Sequence, residues 1–585
     1  MTLPKFFQSF RTVSISAFTL VSLVGAFAAQ ADTALAETDK ADADKAFMNK
    51  PEDAALLGDY LAGAYANLLD DSKAREKYYS RAFEANPTNI NIGRRAITSA
   101  LTAGDFEKAR DLAKDVYDVD ETESMAQAIL SVDAFSRGKN KKAKKYLDPN
   151  SADITMGIIM ALTNGWNEYE LGNEEKARDA FQLQASRPYF GELSKLQIAN
   201  LEALEGNKSA ANDAFEALKD TTQSTVETAL ATARYYANSG QEDKALERLE
   251  AYIDETGLES GPLKAYSEKL RQGEKIDEPL GPKAQLSRAL TDPSYEFFLR
   301  NRAPDAAEVY LRLALHIDPE NEKAQLWLAS LLERTERSDE AMKIYQSFPE
   351  SSSYVVSARL SEANIYFDRE EDEKALNVLE DVNQGHESFV TREALGRARL
   401  IREKYEDALP IYTAIIESMS EAEIEKNTQP LYFRGIIYER LDQWQKAEID
   451  FLRVLKIEPE NADALNYLGY TWVDRGENLE RAFEMIHKAV ELEPESGAII
   501  DSLGWAHYKL GQYDEAKVQL EKAVELSPAS ATIVDHLGDV YWKVGRYREA
   551  GYQWERALLY DPTDEERETI EAKLKSGLSA SDAAP

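Results

Sequence analysis

Prolines near the C-terminal end of the sequence recur at an almost constant spacing. The intervals are 35, 34 and 34 residues between Pro459, Pro494, Pro528 and Pro562, and each proline closes a similar phrase: VLKIEP, AVELEP, AVELSP and ALLYDP. A fixed period of this length indicates a repeat architecture, in which one unit is too small to bury its own apolar face. We therefore expect an array of stacked units without a single central core.

The units share a framework when each is counted so that its proline is position 32. Position 8 is glycine, position 20 is alanine and position 24 is bulky, as in Gly435, Ala447 and Phe451, then Gly469, Ala482 and Ile486, then Gly504, Ala516 and Leu520, then Gly538, Ala550 and Trp554. Small residues permit close approach of two crossing helices. Proline removes a backbone donor and ends a helix. We expect glycine 8 to face alanine 20, and residue 24 to fill the space between units.

These residues resemble the tetratricopeptide repeat, a 34-residue helix-turn-helix unit. The resemblance implies an all-α solenoid, a right-handed superhelix of helix-turn-helix repeats. The earliest of the four units above starts near Thr428, and further units are predicted to start near Phe389, Val356, Glu322 and Arg288, and in an N-terminal block near Leu56, Ile90, Ser124, Ile158, Glu192 and Val226. Eight units in the C-terminal block and six in the N-terminal block make fourteen repeats.

The predicted organisation follows from this phase. It comprises a signal peptide at 1–31, a leader at 32–55, an N-terminal repeat block at 56–259, a linker or bend at 260–287, a C-terminal block at 288–562, and a capping helix with a tail at 563–585. The linker is placed where two Gly-Pro pairs interrupt the 34-residue phase. The polar end of the chain is expected to cover the last exposed repeat.

The N-terminal sequence predicts export. Lys5 and Arg11 precede an apolar run from Val13 to Ala29, which is followed by the small-residue site Ala29-Gln30-Ala31. This pattern is typical of a cleavable secretory signal, with the cut after Ala31. An uncleaved anchor is the alternative, although the run is short for a span. We expect a periplasmic protein with no transmembrane segment in the mature chain. It is not expected to be a lipoprotein, because the sequence has no cysteine to carry lipid.

Composition argues against several classes of function. The formal net charge is -36, which disfavours nucleic acid as a partner. The sequence has no cysteine and only five histidines, none paired at i, i+4 spacing, so no metal site is predicted. We find no phosphate loop or nucleophile elbow. No cofactor and no enzymatic activity are expected.

One phrase, DSLGWAHYKLGQYDEA at 501–516, contains Asp501, Ser502 and His507 within seven residues. Such a set catalyses reactions only if the base reaches the nucleophile and a third group orients the base. In the repeat register, Ser502 and His507 occupy positions 6 and 11, on different parts of one helix. We interpret the apparent triad as a result of repeat spacing, with no catalytic residue.

The family resemblance implies a protein-binding groove. In tetratricopeptide repeats the first helix of each unit lines a concave surface, and positions 2, 5, 9, 12 and 13 point into it. We define the candidate surface as fourteen residues at such positions: Tyr432, Glu439, Arg440, Asn466, Tyr470, Asp474, Asp501, Trp505, Tyr508, Lys509, Asp535, Asp539, Trp542 and Lys543. Aromatic residues among charges of both signs favour protein contact. The alternative is that neighbouring units or the capping helix cover the rings.

Two functions remain open. The first is a protein-binding scaffold or adaptor in the cell envelope that presents substrates to a periplasmic protease. It rests on a similarity to exported tetratricopeptide proteins of Gram-negative bacteria, among them the lipoprotein partner of a carboxyl-terminal processing protease. The second is a structural assembly factor for polysaccharide export or outer-membrane biogenesis. In both, the partners are one or more proteins.

Overall fold

The structure is a computed structural model that describes residues 51–69, 71–147, 154–182, 190–218, 225–256, 261–274, 279–299 and 303–578. Its regular structure within these ranges is 31 α-helices and no β-strand. The predicted all-α class is confirmed. The signal peptide at 1–31, the leader up to residue 50 and the tail from 579 lie outside the described residues.

The described residues divide into two compact units, with the boundary between Val378 and Leu379. The helices of the first unit are α1 (Pro51–Leu68), α2 (Ser72–Ala85), α3 (Ile90–Thr102), α4 (Phe106–Val119), α5 (Ser124–Ser136), α6 (Asn140–Tyr146), α7 (Ile154–Glu170), α8 (Glu174–Gln182), α9 (Phe190–Glu205), α10 (Lys208–Ala217), α11 (Val226–Asn238), α12 (Glu242–Thr256), α13 (Gly261–Arg271), α14 (Pro282–Leu299), α15 (Pro304–Ile317), α16 (Glu322–Arg334), α17 (Ser338–Ser347) and α18 (Val355–Asp368).

Helix α19 (Asp372–Gly385) contains the boundary between the units. The helices of the second unit are α20 (Phe389–Ile401), α21 (Tyr405–Ser418), α22 (Glu421–Lys426), α23 (Gln429–Arg440), α24 (Trp444–Ile457), α25 (Ala462–Arg475), α26 (Leu479–Leu492), α27 (Gly497–Lys509), α28 (Tyr513–Leu526), α29 (Ala531–Lys543), α30 (Tyr547–Ala557) and α31 (Asp564–Ser576).

The 34-residue phase predicts most helix starts. Helices begin at the predicted residues Ile90, Ser124, Val226, Glu322 and Phe389. The predicted linker at 260–287 is different in the structure, because α13 occupies part of it and α14 begins there at Pro282. The Gly-Pro pairs lie at the starts of these two helices, where a missing backbone donor has no cost.

The compact-unit boundary also falls later than the predicted block boundary. Helices α14 and α15 share one apolar core with the first repeats, which places them in the first unit. Helix α13 is joined to the same unit at Gly261, where a Cβ atom would lie 2.3 Å from the backbone oxygen of Ser353. This close approach to backbone requires glycine.

Position-8 glycines fit against the large residue at position 24 of their own unit. A Cβ atom on Gly504 would lie 2.6 Å from Cγ of Leu520, and one on Gly538 would lie 2.5 Å from the indole nitrogen of Trp554. The nearest neighbours of these glycines are therefore at position 24, in addition to the expected approach to position 20. Gly469 shows both contacts, because its Cβ atom would lie 2.8 Å from Ile486 and 2.9 Å from the Ala482 oxygen.

The turn between the two helices of a repeat contains a residue with positive φ. In the first unit it is usually glycine, at Gly104, Gly138, Gly172, Gly206 and Gly240. Other repeats place an acidic residue there, at Glu336, Glu370, Glu403 and Asp442. The left-handed region costs a non-glycine residue about 1–2 kcal/mol.

We therefore expect Asp442→Gly to stabilise the protein. Asp442 is exposed and has φ 57°, so glycine relieves backbone strain without removing a buried contact. The gain is expected to be at most about 1 kcal/mol, because glycine also makes the unfolded chain more flexible. Chemical denaturation measures the change. Gln443→Gly is the control, since Gln443 has φ −101°, and it should lower stability. A loss of stability in Asp442→Gly would contradict the prediction.

Candidate protein-binding surface

The candidate surface lies on the first helices of four successive repeats, α23, α25, α27 and α29. Helix α25 begins where Asn461 accepts a hydrogen bond from the backbone N–H of Ala464, at 2.9 Å, and Ser530 caps α29 in the same way. These caps satisfy backbone donors that a helix start leaves unpaired. Residues spaced by three or four then lie on one side of each helix.

None of the fourteen residues is fully exposed. Asn466, Tyr470, Asp501, Tyr508 and Asp539 are buried. The other nine are half-buried: Tyr432, Glu439, Arg440, Asp474, Trp505, Lys509, Asp535, Trp542 and Lys543. The side chains thus pack against the array and, for the half-buried ones, retain an edge toward solvent.

Trp505 is part of a stack of rings. Its indole lies parallel to the ring of Tyr508, with centroids 4.6 Å apart, and to the ring of His536 in the next repeat, at 4.0 Å. Lys543 lies over the rings of Tyr508 and Tyr513, at 5.9 and 6.0 Å. Stacked rings and a cation over an aromatic face stabilise each other directly. Neighbouring repeats therefore cover part of Trp505, as the alternative interpretation expected.

Polar pairs connect each first helix to the next. The carboxylate of Asp501 is 2.9 Å from Nδ1 of His536, and Nζ of Lys509 is 3.3 Å from Asp474. Nearer the start of this row, the hydroxyl of Tyr467 donates to Glu439 at 3.0 Å. These pairs span adjacent repeats, so they hold the repeats at a fixed rotation. Charges of the candidate surface are in this way partly neutralised within the chain.

The capping helix α31 contacts the last part of the candidate surface. Nζ of Lys573 donates to Asp535 at 2.7 Å and to Asp539 at 2.8 Å. The indole N–H of Trp554 also donates to Asp539, at 2.9 Å. The indole of Trp542 lies against Gly577, where a Cβ atom would overlap the ring. Asp535, Asp539 and Trp542 are therefore covered by the chain's own C-terminal segment.

Ionisation at this end of the array reflects burial and mutual charge. Burial raises the pKa of Asp539 to about 6, and the charge of Asp535 adds to this while Lys573 opposes it. Burial alone would lower the pKa of His536, but the charge and hydrogen bond of Asp501 outweigh burial and raise it. The pKa of Lys573 is likewise raised, because Asp539 and Asp535 outweigh its burial.

The stability of this network should depend on pH. The pKa of His536 is higher in the folded state than the value of about 6.5 in an unfolded chain, so its pair with Asp501 stabilises the fold fully below that value. The stabilisation is lost as pH rises through the folded pKa. We expect His536→Gln to cost more stability at about pH 5 than at about pH 9, measured by thermal unfolding.

The matched control is His507→Gln. The ring of His507 contacts Phe483 and its Nδ1 is 2.7 Å from the side-chain oxygen of Gln512, so it has no carboxylate partner among the described residues. The cost of this substitution should change less between the two pH values. An equal pH dependence for both variants would show that the Asp501–His536 pair is not its source.

Asp501, Ser502 and His507 do not form a catalytic triad in the structure. Asp501 pairs with His536, whereas Ser502 is buried and its hydroxyl donates to the backbone oxygen of Ala498 at 3.1 Å. His507 contacts Gln512 on its own repeat. Each of the three side chains therefore has a different partner.

Sequence reasoning missed His536 and Lys573. His536 occupies position 6 of its repeat, which is outside the groove positions, and Lys573 belongs to the capping helix. A possible signal was the run of three acidic residues Asp501, Asp535 and Asp539 on successive first helices, because buried carboxylates need cationic partners.

Some polar atoms of the candidate surface have no partner among the described residues. They are Oδ1 of Asn466, Nε1 of Trp505 and Oδ1 of Asp535. No group of three or more side chains suited to bind a metal ion occurs in the described ranges. Within the same ranges, no helix is long and apolar enough to cross a membrane.

Family models match two stretches of this helical array. One model, described as TPR repeat, matches residues 504–545, and another, described as tetratricopeptide repeat, matches residues 298–352. Both stretches coincide with repeats whose helix pairs and turns are described above. This protein contains tetratricopeptide repeats. Such repeats are protein-interaction scaffolds.

Similar curated proteins share only a limited region with this tetratricopeptide repeat protein. A TPR repeat-containing protein of Pseudomonas aeruginosa is 41% identical over 87 residues, which are 15% of this chain and 15% of that protein. The probable UDP-N-acetylglucosamine–peptide N-acetylglucosaminyltransferase SPINDLY of Solanum lycopersicum is 31% identical over 108 residues, which are 18% of this chain and 11% of that protein.

Solved structures align over longer stretches at lower identity. A chain of the APC/C hetero-tetramer Cut9–Hcn1 is 16% identical, with 91% of this chain and 97% of that chain covered and a TM-score of 0.35. Yeast Tom70 is also 16% identical, with 90% and 96% covered and a TM-score of 0.28.

Proposed function

We propose that this tetratricopeptide repeat protein is a scaffold of the cell envelope that binds a protein partner through the half-buried residues of the candidate surface that the C-terminal segment leaves uncovered. The observation that carries the proposal is the row of aromatic and charged side chains on four successive first helices. Trp505, Lys509 and Lys543 are half-buried there, so each is held by neighbours yet keeps a solvent-facing edge. Rigid aromatic side chains contribute contact area at a small entropic cost.

The proposed location is the periplasm. It is supported by the cationic start, the apolar run from Val13 to Ala29 and the Ala29-Gln30-Ala31 site. Two measurements on the native cell test this location: cell fractionation, and N-terminal sequencing of the purified protein. We expect the mature chain to begin at Asp32, immediately after Ala31. A chain that retains Met1 and fractionates with cytoplasmic proteins would refute it.

The finer proposal is an adaptor that presents substrates to a periplasmic protease. It is supported by the similarity of the last repeats to exported adaptors of Gram-negative bacteria, and the absence of cysteine means that lipid anchoring is not part of it. A deletion strain provides the test. Accumulation of particular protease substrates is the expected result, whereas loss of surface polysaccharide or outer-membrane proteins would favour an assembly factor instead.

A pair of matched charge-reversal variants tests the candidate surface. Lys509→Glu with Lys543→Glu changes the candidate surface, and Lys488→Glu with Lys522→Glu makes the same charge change on the second helices α26 and α28. A photoreactive crosslinker placed at 509 or 543 in otherwise unaltered protein should capture a partner in living cells. The first double variant should weaken co-purification of that partner.

The control variant should leave co-purification unchanged. Circular dichroism and thermal unfolding of both variants separate loss of binding from loss of folding. Equal capture from positions 488 and 522, or equal co-purification with both double variants, would refute the assignment of binding to the candidate surface.

A further inference from the structure

The first unit encloses a helical hairpin of its own chain. The hairpin, defined as residues 282–317, consists of α14 and α15. Helix α14 contacts α7 and α9, and helix α15 contacts α3 and α5. These four inner helices are the first helices of four successive repeats. The hairpin therefore lies against the first helices of four successive repeats, the helices that line the concave surface in tetratricopeptide repeats.

Apolar side chains of the hairpin are completely buried in this position. Leu286, Leu290, Tyr310 and Leu313 have no measurable exposure, and they belong to the same core as Trp166 of the inner helix α7. The hydroxyl of Tyr310 donates to the backbone oxygen of Thr155 at 2.6 Å. The contact is thus as closely packed as a protein interior and satisfies its buried hydroxyl.

Specific polar contacts fix both ends of α15. At its start, Asp305 pairs at 3.3 Å with Arg75, a residue that is 8% exposed. At its end, the ring of His316 stacks on Phe106 with centroids 3.5 Å apart. Nε2 of His316 also lies 3.1 Å from the hydroxyl of Ser136 and 3.3 Å from Asp133. The array therefore contacts the hairpin at residues far apart in sequence, since Arg75 and Asp305 are 230 positions apart.

Helix α14 is held in the same manner by later repeats. The side-chain amide of Asn200 donates to Gln285 at 3.0 Å, and both residues are buried. Arg288 donates to the buried carboxylate of Glu227 at 3.3 Å. Contacts of opposite charge and matched amides give a surface its specificity. The hairpin thus meets the array through the features that a bound partner would use.

We infer that hairpin 282–317 permanently occupies the concave surface of the first unit, as a bound partner would. Other proteins therefore cannot bind to this surface. A second helix cannot occupy the space that Leu286, Leu290 and Tyr310 fill. Partner recognition through a concave surface is then confined to the second unit. This inference goes beyond the proposed function and does not depend on it, because it concerns a surface that the chain itself covers.

Hydrogen exchange in the full-length protein tests whether the hairpin is permanently bound. Backbone amides of α14 and α15 should exchange within about tenfold of those in the inner helices α3 and α7, because all of them open only when the unit unfolds. Exchange of α14 and α15 well ahead of these inner helices would show that the hairpin leaves while the array stays folded. That result would overturn the inference.

A crosslink between helices α9 and α14 provides a second, independent test of whether the hairpin must move for a partner to bind. The chain has no cysteine, so Asn200→Cys with Gln285→Cys provides a unique pair for a short bis-maleimide crosslinker. The folded protein should crosslink readily, and the locked protein should capture the same partners from position 509 as the unlocked double variant. Loss of any partner on locking would mean that the hairpin must move to admit it, which would overturn the inference.

The single variant Gln285→Cys, treated with the same reagent, controls for chemical modification at this site. If the double variant does not fold, hydrogen exchange of the unaltered chain still decides between a closed and an opening surface. Failure of the charge-reversal test in the second unit would refute the proposed function alone and leave this inference standing.

Discussion

Gly504→Val is expected to lower the stability of the second unit by about 3 kcal/mol, because overpacking a closed contact forces helices apart. A Cβ atom at residue 504 would lie 2.6 Å from Cγ and 3.0 Å from Cδ2 of Leu520. Leu520 is fully buried, so it has no solvent-filled space into which to move. Chemical denaturation followed by circular dichroism measures the loss.

The matched control is Gly551→Val in helix α30. Nothing lies within 4 Å of a Cβ atom built on Gly551, so the same substitution meets no obstacle there. Valine is a better helix former than glycine by a few tenths of a kcal/mol, and the control should be neutral or slightly stabilising. Equal stabilities of the two variants would show that close packing at position 8 does not hold the repeat together.

The period in the sequence predicts the local structure well. Glycine at position 8, a bulky residue at 24 and proline at 32 each reflect contacts within one repeat or its immediate turn. Helix starts at Ser124, Glu322 and Phe389 follow from these short-range rules. The structure adds the nearest partner of the position-8 glycine, the residue at position 24, which the sequence pattern alone does not show.

Contacts between distant repeats could not be predicted in this way. The small rotation between neighbouring repeats accumulates along a solenoid. A small error in the predicted rotation of each repeat therefore changes which residues of distant repeats are in contact. The pairing of Arg75 with Asp305, and the entry of α14 and α15 into the first unit, depend on this sum. The Gly-Pro pairs therefore suggested a linker where the structure has helices.

The candidate surface likewise combines positions that the sequence predicts with contacts between repeats that it does not predict. The repeat period predicted that Asp501, Trp505 and Lys509 belong to one first helix, and all three lie on α27 in the structure. Their partners His536 and Lys573 belong to later elements, so rotamers and the rotation between repeats decide these contacts. Whether the surface binds a partner stays a prediction.

Glu227→Gln is expected to destabilise the first unit by about 2 kcal/mol at neutral pH, since it removes charge-assisted hydrogen bonds from a buried carboxylate. Glu227 is 5% exposed and faces Arg288 at 3.3 Å and Lys323 at 3.9 Å. Burial alone would raise the pKa of Glu227, but the charges of Arg288, Lys323 and Arg234 outweigh it and lower the pKa to about 2.

The sign of the pH dependence follows from this low pKa. A carboxyl whose folded pKa lies below its unfolded value of about 4.3 stabilises the fold above that value and loses this effect as pH falls toward the folded pKa. The difference in unfolding free energy between wild type and Glu227→Gln should therefore shrink between about pH 5 and pH 3. Glu247→Gln, an exposed residue on the adjacent helix α12, is the control and should have little effect at either pH.

The helices in which Glu227→Gln accelerates hydrogen exchange show whether hairpin 282–317 is integral to the first unit or only loosely attached. If hairpin 282–317 is an integral part of the first unit, weakening its link to α11 should accelerate hydrogen exchange in α11, α14 and the inner helices together, because they unfold as one cooperative body. If the hairpin is only loosely attached, exchange should accelerate in α14 and α15 alone. The second pattern would contradict a closed first unit even if the total loss of stability were as large as expected.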